Sequence, residues 1–290
     1  MYDRILVPVD GSQCGRDAAA YGFAFAAATG ASIDLVHVVD TTLQTVGGRL
    51  SVAERREHGE SILESTLELA DERDDVETHL REGTPGEEIV SAASEIDADL
   101  IVMGRQGHHN LRDRLLGGVT ETVVHRADPP VLVVPLGTDG AAANPSRLVV
   151  PTDGSENAAA AVPEATDLAR AFDAELAVLT VVDVQAAGGS FSAGGVTQEF
   201  LERLEKEGET IVTELAATIE RRAPDIPVET AVERGIAHEV IGSFASETGA
   251  GLIVMASHGR TGLRRQLIGN VADRVLRVAE TPVLIVSAEK

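Results

Sequence analysis

The chain has 290 residues, enough for two domains of about 145, each able to bury roughly two-thirds of its unfolded surface. Its 47 acidic residues against 24 basic ones, with Lys206 and Lys290 as the only lysines, give a net charge of −23. That balance argues against general DNA or membrane-surface binding, which needs clustered cations, and suits a salty cytoplasm where screening confines self-repulsion to within ~3 Å at 1 M. There is no run of 18 apolar residues, no basic-then-apolar leader and a single cysteine, Cys14, so the expected location is a reducing cytoplasm.

Residues 5–9 form a short β-branched run that predicts a buried strand. Asp10-Gly11-Ser12 then supplies a tight turn and a helix N-cap. An Ala-rich helix follows to about Thr29 and stops at Gly30. Residues 33–39 read as the second strand, 51 to about 73 as a charged amphipathic helix, and 76–80 as the third strand. Gly83-Thr84-Pro85-Gly86 opens a helix through Ile96. Residues 100–103 are strand four, 119–127 the last helix and 131–134 strand five.

The pattern then returns. Arg4-Ile5-Leu6-Val7-Pro8-Val9-Asp10-Gly11-Ser12 is echoed 143 positions later by Arg147-Leu148-Val149-Val150-Pro151-Thr152-Asp153-Gly154-Ser155. The passage from Leu100 to Gly107 is echoed 152 positions on, from Leu252 to Gly259. The growth in offset predicts a nine-residue insertion in the middle of the second copy, a Gly-rich excursion after its strand two that carries Gly188-Gly189 and Gly194-Gly195. The expected domains are 1–137 and 146–290, joined by a linker over 138–145.

Strands alternating with helices imply parallel right-handed crossovers. The fold expected is α/β: two tandem open parallel five-stranded sheets flanked by helices, each in order 3-2-1-4-5 and Rossmann-like. Ligands bind such sheets where the strand order reverses, which puts Asp10 and Gly104 at the mouth of a site. After strand four the first copy reads Gly104-x2-Gly107-x9-Gly117-Gly118-Val119-Thr120 and runs into a helix. Glycines let the backbone approach an anion, and a helix start adds positive potential. The bland alternative is a glycine-rich connection that only turns the chain. No Walker P-loop is present, and no GxGxxG follows the first strand.

The Pro8/Asp10 signature, His37-Val38-Val39-Asp40, the Gly83-x-Pro85 turn and this glycine spacing resemble the universal stress protein family, over nearly the whole chain as a tandem. ATP-binding members use G-x2-G-x9-G-[ST]. The resemblance implies adenine and ribose near Pro8, Asp10 and Val38. It implies phosphates along Met103, Gly104, Arg105, Gly107, Gly117, Gly118, Val119 and Thr120. In the second copy the matching positions are Pro151, Asp153, Val181, Met255, Ala256, Gly259, Gly269, Asn270 and Val271. Gly118 stands in the Ser/Thr place of the first copy, with the Thr120 hydroxyl nearby. Ala256 and Asn270 replace two motif positions in the second. Ala256 is harmless only if its backbone needs no positive φ. The first copy is therefore expected to bind more tightly.

Arg105, Arg112 and Arg114, and Arg260, Arg264 and Arg265, flank the phosphate segments, either to neutralise phosphates or as surface charge. His108-His109 lacks a convergent metal partner, His37 reads as structural, and Ser12 and Ser155 as helix caps. Cys14 reads as a redox thiol or, more simply, as a small apolar residue near a helix start.

The function expected is a cytoplasmic adenine-nucleotide-binding stress-response module, with ATP, or else ADP or AMP, and Mg²⁺ carried by the phosphates. The alternatives are a slow Mg-dependent ATP hydrolase, for which no general base is evident, and a nucleotide-free scaffold. The family resemblance further implies a pseudo-dimer of the two halves through their fifth strands, 131–134 and 283–286; a homodimer of chains is a further option.

Overall fold

The apolar run after Arg4 forms strand β1 (Arg4–Pro8) in the computed structural model, which describes residues 2–42, 51–71, 75–107, 116–138, 140–183, 198–259 and 268–287. The chain divides into two compact units, Met1–Asn144 and Pro145–Lys290. In unit 1, helix α1 (Gln13–Thr29) starts where Ser12 Oγ accepts the Gly15 N–H, and ends where Gly30 turns left-handed (φ 78°) and donates to the Ala26 carbonyl. Strand β2 (Ser32–Asp40) follows, then α2 (Val52–Leu67), opened by a capping box between Ser51 and Glu54. The unit continues with β3 (Val76–Gly83), α3 (Pro85–Glu95), β4 (Leu100–Gly104), α4 (Gly118–Arg126) and β5 (Val131–Val134).

Every pairing is parallel and the order is β3-β2-β1-β4-β5, as the alternation of elements predicts. Strands β4 and β5 are buried along their whole length, while β3, at the other end of the order, is partly exposed. Residues Gly140–Ala143 form a single 3₁₀ turn. Ala143 is buried, and a Cβ on Gly140 would lie 3.2 Å from the Ala20 carbonyl of α1, so this part of the expected linker is packed on unit 1.

Unit 2 comprises β6 (Arg147–Pro151), α5 (Glu156–Ala159), α6 (Val162–Phe172), β7 (Glu175–Val182), α7 (Gln198–Arg222), β8 (Val228–Arg234), α8 (Ala237–Glu247), β9 (Leu252–Ala256), α9 (Asn270–Val278) and β10 (Val283–Val286). Its order, β8-β7-β6-β9-β10, repeats that of unit 1.

Two departures from a simple repeat have local causes. The single helix α1 is matched by two pieces, α5 and α6, because Pro163 has no N–H to continue the ladder across residues 160–161. The insertion is also split. Gly59 of α2 lies against His37 and Leu80, and Gly208 of α7 lies against the matching Thr180 and Val232. These glycines are 149 positions apart, between the offset of 143 at the first strands and 152 at the third. Six of the extra residues therefore enter between β7 and Gly208, the first turns of α7 included, and three after that glycine, which corrects the single excursion expected after strand two. Gly188-Gly189 and Gly194-Gly195 lie outside the described residues.

Candidate functional site

The site follows from where β1 and β4 part. They pair only at Ile5–Leu100 and Leu6–Ile101, so the strands separate before Pro8 and Gly104. In unit 2, β6 and β9 pair only at Leu148–Leu252 and Val149–Ile253. A cleft at the strands' carboxyl ends results, with Asp10 or Asp153 on one lip and the glycine segment on the other.

The two aspartates are held alike. Asp10 Oδ1 accepts the Ser12 N–H at 3.0 Å and the Ser12 hydroxyl at 2.6 Å, while Ser12 Oγ accepts the Gly15 N–H at 3.0 Å. Asp153 Oδ1 accepts from Ser155 N–H and Oγ at 3.0 and 2.6 Å, and Ser155 Oγ accepts the Ala158 N–H at 3.1 Å. Each serine thus caps a helix, as its position in sequence suggests, and also aims the carboxylate, which sequence did not reveal.

The second oxygen, Oδ2, points at a glycine. A Cβ on Gly107 would overlap Asp10 Oδ2, and one on Gly259 would overlap Asp153 Oδ2. Gly117 (φ −68°) and Gly269 (φ −63°) have ordinary backbone angles. Their N–H groups close the segment by donating to the Arg105 carbonyl at 2.9 Å and the Ser257 carbonyl at 2.8 Å. These glycines are needed for room rather than for left-handed backbone.

Gly104 has the same reason: a Cβ there would lie 2.8 Å from the Cys14 carbonyl of α1. In unit 2 the corresponding helix is the short α5, Ala256 has no positive φ, and the condition for a harmless substitution is met. Asn157, which stands at the place of Cys14, donates to the Gly259 carbonyl at 3.0 Å.

Helices α4 and α9 begin without side-chain caps, so their first N–H groups face the cleft mouth free of such bonds. Thr120 does not add a donor there, because its hydroxyl donates to the Gly104 carbonyl at 2.9 Å. Arg105 and Gln106 are 7% and 8% exposed. The counterpart of Arg105 is Ser257, since both precede the same closing bond and both donate their N–H to the last strand, at Val134 and Val286. Arg112, Arg114, Arg260, Arg264, Arg265 and His108-His109 lie outside the described residues.

Unit 2 contains a cleft of about 370 Å³ whose lining includes Pro151, Asp153, Val181, Met255, Ala256, Gly259, Gly269, Asn270 and Val271, every residue expected there from the second copy. It also includes Leu179, Ser257, His258 and the one-turn pair Ala237 and Ile241 of α8. Sequence missed those two because a one-turn spacing on an amphipathic helix looks like ordinary core packing. Cys14 is buried, and burial pushes its thiol up from the ordinary value, which suits a packed residue better than a reactive one.

Topology and cleft together define a tandem doubly wound α/β protein with a ligand-sized opening at the switch point of unit 2. A family model described as the universal stress protein family matches residues 1–135 and again 145–287. A universal stress protein of Mycobacterium tuberculosis is 30% identical over 300 residues, covering 97% of this chain and 96% of its own. One from Methanocaldococcus jannaschii is 36% identical over 144 residues, covering 50% of this chain and 83% of its own. The crystal structure of a universal stress protein from Archaeoglobus fulgidus superposes with a TM-score of 0.73 over 99% of this chain and 97% of that one, at 21% identity. The chain belongs to the universal stress protein family. No described helix is long and apolar enough to cross a membrane.

Proposed function

We propose that each unit binds an adenine nucleotide, ATP foremost, and that occupancy makes this protein a ligand-dependent regulatory module of the stress response. The observation that carries the reading is the 370 Å³ cleft of unit 2, where all nine candidates of the second copy meet. That volume falls within the ordinary range of small-molecule sites. A carboxylate accepts hydrogen bonds from ribose hydroxyls or an exocyclic amine and repels phosphate. The nucleoside therefore lies toward Asp10 or Asp153, and the phosphates toward the uncapped starts of α4 and α9. Mg²⁺ enters with the phosphates.

Calorimetry with Mg-ATP at molar salt tests this. Gly107→Val and Gly259→Val place a branched side chain against the aspartate and should each abolish one site, so that stoichiometry falls from two to one. Unchanged stoichiometry in both variants would overturn the assignment. Asp10→Ala should weaken ATP and adenosine alike. Ala256→Gly should leave unit 2 unchanged, because the broken helix already makes room for the methyl group. Nucleotide carried through purification separates the alternatives: ATP favours the regulatory reading, ADP with measurable turnover a hydrolase, and none at high salt a scaffold.

The pairing of the two copies through their fifth strands stays a proposal, supported by the tandem family match and the apolar runs that would otherwise leave sheet edges. Small-angle scattering showing two independently tumbling halves would refute it.

A further inference from the structure

His37 and Thr180 hold the same place in the two copies and make the same bond. In unit 1 the Val9 N–H donates to the Val36 carbonyl at 2.9 Å, and the Val9 carbonyl accepts from His37 Nδ1 at 2.8 Å. In unit 2 the Thr152 N–H donates to the Leu179 carbonyl at 2.8 Å, and the Thr152 carbonyl accepts from Thr180 Oγ1 at 2.8 Å. The residue before each aspartate is therefore clamped on both sides. The peptide that carries the clamped carbonyl is the one that leads into Asp10 or Asp153, so the clamp sets the direction in which that side chain leaves the sheet.

A carbonyl only accepts, so His37 carries its proton on Nδ1, and the neutral ring leaves Nε2 without one. The ring is sandwiched. A Cβ on Gly59 of α2 would lie 2.6 Å from its Cδ2 and 3.1 Å from its Nε2, and Leu80 stands beside it on β3. Among the described residues, the charged or titratable groups that act on it are Asp10, from the turn after β1, and His58, from α2, and its register partner on β3 is the apolar Leu80. Burial lowers the His37 pKa, outweighing the Val9 bond and the attraction of Asp10.

We propose that His37 and Thr180 are the positioning residues of the two ligand sites, and that the exchange of one for the other makes the unit 1 site sensitive to acid and the unit 2 site indifferent to it. Protonation at Nε2 puts a charge on a ring packed between α2 and the sheet, where desolvation and His58 oppose it and together outweigh the Val9 bond and Asp10. The imidazolium then swings toward water, the Val9 carbonyl loses its donor, and Asp10 loses its aim. Thr180 has no proton to gain, so unit 2 keeps its clamp. The binding arm of this proposal rests on the nucleotide reading above.

The test uses the full chain at molar salt, with Gly259→Val to isolate unit 1 and Gly107→Val to isolate unit 2. Mg-ATP affinity is measured by calorimetry from pH 8 to pH 5. The nucleotide's own phosphate titration acts on both sites, so the difference between them is the readout. Unit 1 should weaken relative to unit 2 by up to about tenfold per pH unit, the limit for a one-proton linkage. His37→Ala should weaken unit 1 already at pH 8. His37→Asn, whose amide nitrogen falls where Nδ1 stood, should rescue it and remove the difference in slope.

Parallel slopes in the two units, or a difference that survives His37→Asn, would overturn the proposal. Amide exchange without nucleotide gives an independent answer: protection at residues 9–15 should fall in acid while protection at 152–158 holds. Equal protection in both turns would also overturn it. If nucleotide binds at no pH, the functional reading fails, and the exchange measurement still decides this one.

Discussion

Asp34 shows how one side chain distinguishes the copies. It is 1% exposed, holds Arg4 through two bonds of 2.6 and 2.9 Å, and accepts from His79 Nε2 at 2.6 Å. In unit 2 the equivalent arginine, Arg147, instead meets Glu175 at 2.6 Å and Glu229 at 3.1 Å, nearer the surface. Burial alone would push the Asp34 pKa up, but the bonds from Arg4 and His79 outweigh it and hold the pKa below the ordinary value. The stabilisation is therefore complete above the ordinary carboxylate range and is lost as pH falls through the depressed value. Asp34→Asn should cost about 3 kcal/mol at pH 7, the low end for breaking a buried pair, because Arg4 can still reach water. Urea unfolding of both proteins from pH 7 to pH 3 should show the gap closing in acid; a gap that widens would contradict the sign. Glu95 gives a second check at this scale. Hydrogen bonds from Arg81 and then Ser91 hold its pKa at about 2, so its carboxylate resonance should titrate there and return to the ordinary range in Arg81→Leu. The place of Asp10 at the carboxyl end of β1, across from Gly107, was legible because the residue closes a strand at a turn. Its aiming by Ser12, and the shared role of His37 and Thr180, were not, because a hydrogen bond to a backbone carbonyl leaves no spacing signature in the chain.

At the scale of elements, the contact of the second helix with the sheet is set by one glycine in each copy. A Cβ on Gly59 would lie 2.6 Å from His37 Cδ2 and 2.8 Å from Leu80 Cδ1, whereas one on Gly208 would lie 2.9 Å from Val232 Cγ1 and 3.1 Å from Thr180 Cγ2. Overpacking of this kind costs about 1–3 kcal/mol. Gly59→Ala should be the more damaging, because its closest clash, at 2.6 Å, is with an imidazole fixed to Val9, whereas the closest group to Gly208 is a Val232 methyl at 2.9 Å. Site-resolved hydrogen exchange should show α2 loosening more in Gly59→Ala than α7 does in Gly208→Ala; the reverse order would mean that backbone shifts absorb the clash. The same helices carry a charge exchange: Arg56 of α2 pairs with Glu82 of β3, and Glu205 of α7 pairs with Arg234 of β8. Both pairs are partly exposed and each contributes at most about 1 kcal/mol, so they mark the equivalence of the elements more than they stabilise them. Strand order was legible because alternating strands and helices leave few right-handed topologies. The split insertion was not, since offsets read at the flanking strands give only its total. Nor was the break between α5 and α6: an alanine-rich stretch looks helical throughout, and Pro163 suits a helix's first turn as well as its interruption.

For the whole molecule the governing quantity is charge. The ion pairs at Asp34, Glu88, Glu95 and Asp225 would strengthen as salt is removed, while repulsion among the uncompensated acids would also grow. The sequence leaves 23 negative charges without a basic counterpart. The surface pairs contribute little each, so repulsion should win as the screening length rises from ~3 Å at 1 M to ~10 Å at 0.1 M. The melting temperature should therefore fall as salt is lowered across that range, and to the same degree in sodium and potassium chloride, since screening depends on ionic strength rather than on the cation. Glu57, Glu60 and Glu64 lie exposed on α2 within two turns of one another, where like charges destabilise a helix. Changing all three to Gln should raise the melting temperature at 0.1 M more than at 1 M, flattening the salt dependence. An equal shift at both concentrations would mean that the carboxylates act through local helix preference. An unaltered slope would mean that salt supports this protein through apolar burial, which strongly hydrated salts also strengthen, and a sulfate series that stabilises beyond its ionic strength would then identify that cause.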